Sequence, residues 1–455
     1  MFSLLLILFR KTFTQIPFTI IFPLIIIPSG LNAQIESDSL ITESWNFHFQ
    51  NTVITQFHPS FHARYSGKNS LNDTSEKTTS ITGTIFLGLK LWKGAECYFN
   101  PELSGGEGFS LTRGIAGFPN GEVYRVDNPR PKIYVARLIF KQYFSLSDSY
   151  HFTNDDFNQL RNKIPDSYIG VYFGKFSLMD YFDNNHYSHD PRTQFYNWAL
   201  MGNGAWDYAA NTRGYTNGIV IEWAKPSLAI RFASVMMPLK ANGPEMDKDI
   251  IHSRSDVLEF EKKYSLGNQK GTFRFVSYLN EARMGNYNQA IIWGKARNTT
   301  PNADSVPVLG NRKFGLGINI EHAINKYTGL FFRASWNDGR NETWAFTEID
   351  KAVSTGVALN GDLWKREDDY FGFAVLANGL SGDHKKYLEA GGYGFIIGDG
   401  KLNYSPECIT EMYYSYKIKN CAFWISPDYQ FIVNPGYNKE RGPVHAFGIR
   451  IHAEI

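Results

Sequence analysis

Apolar and polar side chains alternate one for one along most of the chain. That period of two marks strands whose two faces meet different surroundings. In the first such segment Trp45, Phe47, Phe49 and Val53 stand against Asn46, His48, Gln50 and Thr52. In the second, Gly83, Ile85, Leu87, Leu89 and Leu91 alternate with Thr82, Thr84 and Lys90. After a tight turn at Lys93-Gly94, a third sets Ala95, Cys97 and Phe99 outward and Glu96, Tyr98 and Asn100 inward. A fourth covers about 132–144 with Arg137 and Lys141 on one face, and a fifth covers 168–177. Eleven more are read at about 214–224, 228–238, 257–265, 272–282, 312–324, 328–338, 352–364, 369–379, 404–418, 421–433 and 444–455.

The total is sixteen, and the connections alternate in length with strand parity. Those after even-numbered strands are brief: Lys93-Gly94, Lys225-Pro226, Leu266–Gly271, Asn325–Tyr327, Lys365–Asp368 and Lys419-Asn420. Those after odd-numbered strands are mostly long, including 57–77, 104–131, 239–256, 283–311 and 380–403. Outer-membrane barrels have this asymmetry, with short turns inside and long loops outside. A secreted sandwich or propeller, the competing all-β class, has no reason to show it. The connection after strand 4 is the exception, with a short helix expected at Asp155–Lys163. In the last strand Phe447, Ile449, Ile451, Ala453 and Ile455 alternate with Gly448, Arg450, His452 and Glu454, and closure onto strand 1 would pair its free edge. The expected fold is all-β: a transmembrane antiparallel β-barrel of 16 strands with an inward-folded constriction loop.

Composition agrees with a membrane barrel. The chain has 10 Trp, 26 Tyr and 35 Phe, yet its mean hydropathy is −0.31. Strands that show lipid only every second side chain give this mixture. Residues 1–33 read as a signal peptide and 34–455 as the barrel domain. Arg10 and Lys11 precede the apolar run Ile16–Pro28, and Leu31-Asn32-Ala33 offers a cleavage site before Gln34. Pro17, Pro23 and Pro28 argue against a spanning helix there. Without Arg10 and Lys11 the acids and bases are equal in number, so there is no bulk attraction to nucleic acid. Cys97, Cys408 and Cys421 have no metal-type spacing and read as isolated thiols.

By strand count, 178–213 is the third external loop. A barrel of this size leaves an aqueous channel too wide to select small solutes unless something folds inward. This segment combines Asp180, Asp183, Asp190, Asp207, Arg192 and Arg213 with Trp198, Trp206 and Tyr208. Sugar C–H faces pack on rings, and sugar hydroxyls bond to ionised groups. Arg137 and Lys141 on strand 4, facing Glu102 at the end of strand 3, are expected to complete a charged lumen wall. A charge facing lipid at mid-depth would cost ~2–4 kcal/mol. The candidate constriction and binding residues are therefore Glu102, Arg137, Lys141, Asp180, Asp183, Arg192, Trp198, Trp206, Asp207, Tyr208 and Arg213.

The chain resembles the carbohydrate-selective porin family (OprB type) from about Trp45 to Ile455. The motifs that carry the resemblance are GKFSLMDYFDNNHYSHDPRTQFYNWAL (174–200), AWDYAANTRGYTNG (205–218), GGYGFIIGDGKLNYSPE (391–407), DYQFIVNPGYNKERGPV (428–444) and RIHAEI (450–455). FLGLKLWKGAECYFNPELSGG (86–106) and GFPNGEV (117–123) are also similar. The resemblance implies an outer-membrane barrel for facilitated diffusion of monosaccharides and short oligosaccharides. It implies small sugars, outer-membrane lipid and the barrel-assembly machinery as partners, and a monomer or weak homo-oligomer. Asn184–His189 and the terminal Ile455, where such barrels usually end in an aromatic, depart from the family pattern. The alternatives are a general non-selective diffusion porin or an outer-membrane barrel enzyme.

Other chemistry has weaker footing. His186 and His189 beside Asp183 and Asp190 sit in turn-forming sequence and lack the converging set a zinc site needs. Gly391–Gly400 precedes a strand and does not open a helix, so it is no phosphate cradle. No nucleophile elbow or Ser-His-acid set emerges, and neither an enzyme nor a cofactor is expected.

Overall fold

The structure is a computed structural model and describes residues 42–124 and 129–455. The segment read as a signal peptide, 1–33, lies outside the described residues. Sixteen strands close into one antiparallel barrel in sequence order, each bonded to its chain neighbours. They are β1 (Trp45–His58), β2 (Glu76–Trp92), β3 (Ala95–Gly106), β4 (Lys132–Ser145), β5 (Tyr168–Phe176), β6 (Thr216–Lys225), β7 (Leu228–Met236) and β8 (Arg254–Leu266). They continue as β9 (Gln269–Ala282), β10 (Asn311–Ala323), β11 (Thr328–Asn337), β12 (Lys351–Asn360), β13 (Tyr370–Gly379), β14 (Glu407–Lys417), β15 (Phe423–Val433) and β16 (Val444–Glu454). β16 pairs with β1 from Gln50↔Glu454 to Phe57↔Phe447. Phe49 and Ile455 exchange backbone hydrogen bonds of 3.0 and 2.9 Å, so the last residue completes the closure. No helix among the described residues is long and apolar enough to cross a membrane.

Alternation sorts side chains as expected. Glu96, Tyr98 and Asn100 are buried inward, while Phe99 is exposed outward. On β16, Arg450 and His452 are buried while Phe447 and Ile449 are exposed. Ala95, expected outward, is buried beside its turn. Two boundaries move. The turn read at Leu266–Gly271 contracts to 267–268, where Gly267 takes φ +60°. β12 stops at Asn360, whose side chain accepts the Asp362 N–H (2.8 Å) and starts a short 3-10 turn.

The connection after β4 is not helical. It forms a small hairpin, Tyr150–Phe152 against Lys163–Pro165, with Asn158 at φ +55° in its tip. Asn154, Asp155, Asp156 and Asn158 favour turns by bonding to nearby backbone, which defeats a helix here.

Period two also fails inside β4. Pro101 has no N–H for the β3–β4 ladder, and the register slips between Asn100 and Pro101. Asn100 pairs with Arg137 and Pro101 with Val135, which leaves Ala136 bulged. The bulge switches parity, so Tyr134 and Arg137 both face the lumen while Ile133 and Val135 face outward.

The lumen is not an open pore. Loops 107–124, 177–215, 338–350 and 380–406 turn inward, and Phe118, Phe195, Ile349 and Ile396 from them share one apolar cluster. A second cluster joins Phe182, Trp206 and Trp344 to the inner faces of β5–β9.

Candidate functional site

A cavity of about 410 Å³ lies between the strands and the inward loops. Its strand wall comes from Gln50 of β1, Thr82 and Phe86 of β2, Glu102 and Ser104 of β3, and Tyr134 and Arg137 of β4. The opposite wall is loop: Trp198 and Tyr208 from 177–215, and Phe346 from 338–350.

The strand wall carries charge in a bonded ladder. Arg137 holds Asp180 through two bonds, Nε–Oδ2 at 2.8 Å and Nη2–Oδ1 at 2.6 Å. Asp180 is fixed in turn by the Ser177 N–H (3.0 Å), because Ser177 and Asp180 form a capping box at the loop's first turn. Arg192 reaches from the loop to Glu102 (3.0 Å), Glu122 (2.9 Å), Gln50 and Thr84. Glu102 also accepts from Thr84 (2.6 Å), Tyr215 (3.0 Å) and Tyr134. Arg213 donates to Ser104 Oγ (2.7 Å) and lies between the rings of Tyr124 and Tyr134, at 4.7 and 4.3 Å. Burial opposes the Arg192 charge, yet Glu122 and Glu102 hold the guanidinium well above its ordinary value. Burial, helped by the charge of Arg333, pushes His189 at the cavity edge below the usual imidazole value.

The loop wall is aromatic. Trp198 stacks on Phe346 at 5.3 Å, and Phe346 meets Tyr208 at 4.5 Å. Asp207 orders this face from behind, since its carboxylate accepts the N–H groups of Trp344 (2.9 Å), Ala345 (2.8 Å) and Phe346 (3.0 Å). One wall thus offers oriented donors and acceptors, and the other offers aromatic surface, mostly that of Phe346, since Trp198 and Tyr208 are 4 and 5 % exposed.

The loop spans the lumen because wall residues clamp its backbone. Arg450 donates to the carbonyls of Pro191 (2.9 Å), Thr193 (2.8 Å) and Gln194 (2.7 Å). Arg333 donates to those of Ser188 (2.6 Å) and Leu200 (3.0 Å). Glu411 accepts the N–H groups of Tyr196 (2.5 Å) and Asn197 (3.2 Å). Such bonds satisfy loop backbone that would otherwise be buried without partners.

Of the residues singled out in the sequence, Glu102, Arg137, Asp180, Arg192, Trp198, Tyr208 and Arg213 line this cavity. Lys141 faces inward but borders a second, smaller cavity. Asp183, Trp206 and Asp207 do not reach either cavity and are 0, 2 and 1 % exposed. Asp183 is enclosed by Asn203, Asn319 (2.7 Å) and Arg333 (3.4 Å), and Trp206 packs on Phe182 and Tyr208. Their chemistry suits a sugar, but the loop doubles back and turns that chemistry into its own interior. Sequence reasoning missed Phe346, Glu122 and the clamping arginines. Arg450 alternates with the apolar face of the last strand, but nothing in the period reveals what an inward charge will meet.

The family model of "Carbohydrate-selective porin, OprB family" matches residues 88–454. The chain belongs to that family. This porin is therefore an outer-membrane carbohydrate channel of the bacterial type. It is similar in fold to Pseudomonas putida OprB in its high-pH structure, with a TM-score of 0.69 at 16 % identity over 90 % of this chain and 94 % of that one. It also aligns with the outer-membrane channel DcaP of Acinetobacter baumannii, at TM-score 0.49 and 8 % identity over 90 % of this chain and 97 % of that one. No curated protein sequence matches the porin.

Proposed function

We propose that the porin passes monosaccharides and short oligosaccharides through the cavity between the β1–β4 wall and the inward loops. The observation that carries this reading is the pairing of opposite wall characters. A pyranose has an apolar face for Trp198, Phe346 and Tyr208 and a rim of hydroxyls for Arg192, Glu102, Asp180 and Arg137. Each of these cations is already paired, so the wall bonds hydroxyls without trapping an anion. Transport needs occupancy that is brief, and contacts of this kind are individually weak. The reading is of a channel with Glu102, Arg137, Asp180, Arg192, Trp198, Tyr208 and Arg213 at its constriction, and not of an enzyme.

Swelling of liposomes loaded with the purified porin tests it against a general diffusion pore. Glucose and maltose should enter faster than polyethylene glycols of equal mass, which lack a flat apolar face bordered by hydroxyls. Equal rates for sugar and polymer would assign the porin to non-selective diffusion, and sugar entry no faster than in protein-free vesicles would remove the reading.

A further inference from the structure

We propose that the porin has a second constriction in series with the first, built at the short-turn mouth by the β4–β5 connection, with Phe157 setting its width. The inference rests on the reading of the cavity as the conducting path. Three other connections at this end need only two residues, 93–94, 226–227 and 267–268, and the rest, 324–327, 361–369 and 418–422, stay under ten, whereas this one runs from 146 to 167 and folds back into the lumen.

Its tip is bonded to the inner faces of β1 to β4. Asn46 donates to Asp155 (2.7 Å) and to the Gln159 carbonyl (2.9 Å), and His48 Nε2 lies 2.9 Å from Asp155. The Leu160 N–H meets Tyr98 Oη at 3.1 Å, and Asn162 donates to Glu96 at 2.8 Å. Lys141 holds the Asn158 carbonyl at 2.9 Å. So many partners make the tip a fixed wall and not a loose flap.

Phe157 is what this wall presents. Its ring stacks on Phe86 at 4.5 Å and meets the edge of His48 at 5.5 Å, and it still lines the cavity. The ring is partly buried, held by Phe86 and His48 on one side while the remainder borders the cavity. Beyond Lys141 lies the second cavity, about 200 Å³, which shares Asp180 with the first. The Arg137–Asp180 pair and the Phe157–Asn158 tip thus stand where the first cavity ends on the way to the short-turn mouth. A solute that clears the loop constriction meets a second ring there before release.

Planar-bilayer recording separates this from the sugar reading. In Phe157→Ala, single-channel conductance should rise on the order of 1.5- to 2-fold, since a narrow segment in series limits the current. In a background with Cys97, Cys408 and Cys421 changed to Ser, Phe157→Cys should lose current stepwise when a small cationic methanethiosulfonate is added, fastest from the short-turn side. This second variant keeps the test open should Phe157→Ala fail to assemble. Unchanged conductance in Phe157→Ala, or no current change on labelling Phe157→Cys, would overturn the second constriction even where sugars still block the parent. Wider conductance in a channel that sugars do not block would uphold it and remove the sugar reading instead.

Discussion

Opposite the β1–β4 wall, Asp183 beside Arg333 of β11 at 3.4 Å and Asp207 beside Lys313 of β10 at 3.6 Å are walled in. On the β1–β4 side the same chemistry borders the cavity, with Arg137 on Asp180 at 2.6 Å and Arg192 on Glu102 at 3.0 Å. The open pairs are the closer ones. The difference lies in what a lost partner leaves behind. A charge stripped of its partner in the filled half has no water to turn to, whereas one beside the cavity does. The filled half therefore uses charge to hold the loop, and the open half is free to use charge on a solute.

The sharpest way to break that comparison is a matched pair of substitutions. Asp183→Ala leaves Arg333 buried without a carboxylate and should cost ~3–5 kcal/mol. Asp180→Ala leaves Arg137 beside water and should cost about 1 kcal/mol or less. Unfolding in denaturant, followed by the gel shift between folded and heat-denatured barrel, reads both. Equal losses would mean that the two halves do not differ as described.

A smaller effect sharpens the same contrast through pH. Glu342 lies in the 338–350 loop over the filled half and accepts the Gly285 N–H at 2.5 Å. Burial pushes its carboxyl from the ordinary 4.5 up to about 8, and the Gly285 bond opposes this only in part. The folded state thus prefers the neutral acid. Its contribution is fully present below pH 4.5 and is lost as pH rises through about 8. Glu342→Gln keeps an acceptor and removes the titration, so at pH 9 it should be more stable than the parent by roughly 1–2 kcal/mol. A parent whose stability is flat from pH 5 to 9 would contradict this.

The barrel was legible in the sequence because period two and loop parity are local signals repeated sixteen times. β4 shows where that stops. Counting by twos from Arg137 places Ile133 and Val135 in the lumen, and only the Pro101 slip reverses them. The segment after β4, expected as a short helix at Asp155–Lys163, is a hairpin because its Asn and Asp side chains bond nearby backbone. The cavity was partly legible. Loop 177–215 was recognised by its charges and rings, and most of those named do line the cavity. Which ones turn back into the loop's own core depends on Arg333, Arg450 and Glu411, far away in sequence. Phe346 was invisible for the same reason, since its place is set by Asp207, a contact across 139 positions.

The central claim is that sugars occupy the cavity against its aromatic wall, and block of the ion current by sugar tests it most directly. Glucose or maltose added to single channels of the parent should interrupt the current with a dissociation constant around a millimolar, equivalent to only ~4 kcal/mol. Phe346→Ala removes one stacked ring, worth roughly 1 kcal/mol, and should weaken the block about five-fold while raising conductance. A parent current indifferent to sugar, or a Phe346→Ala channel blocked as tightly as the parent, would contradict the account.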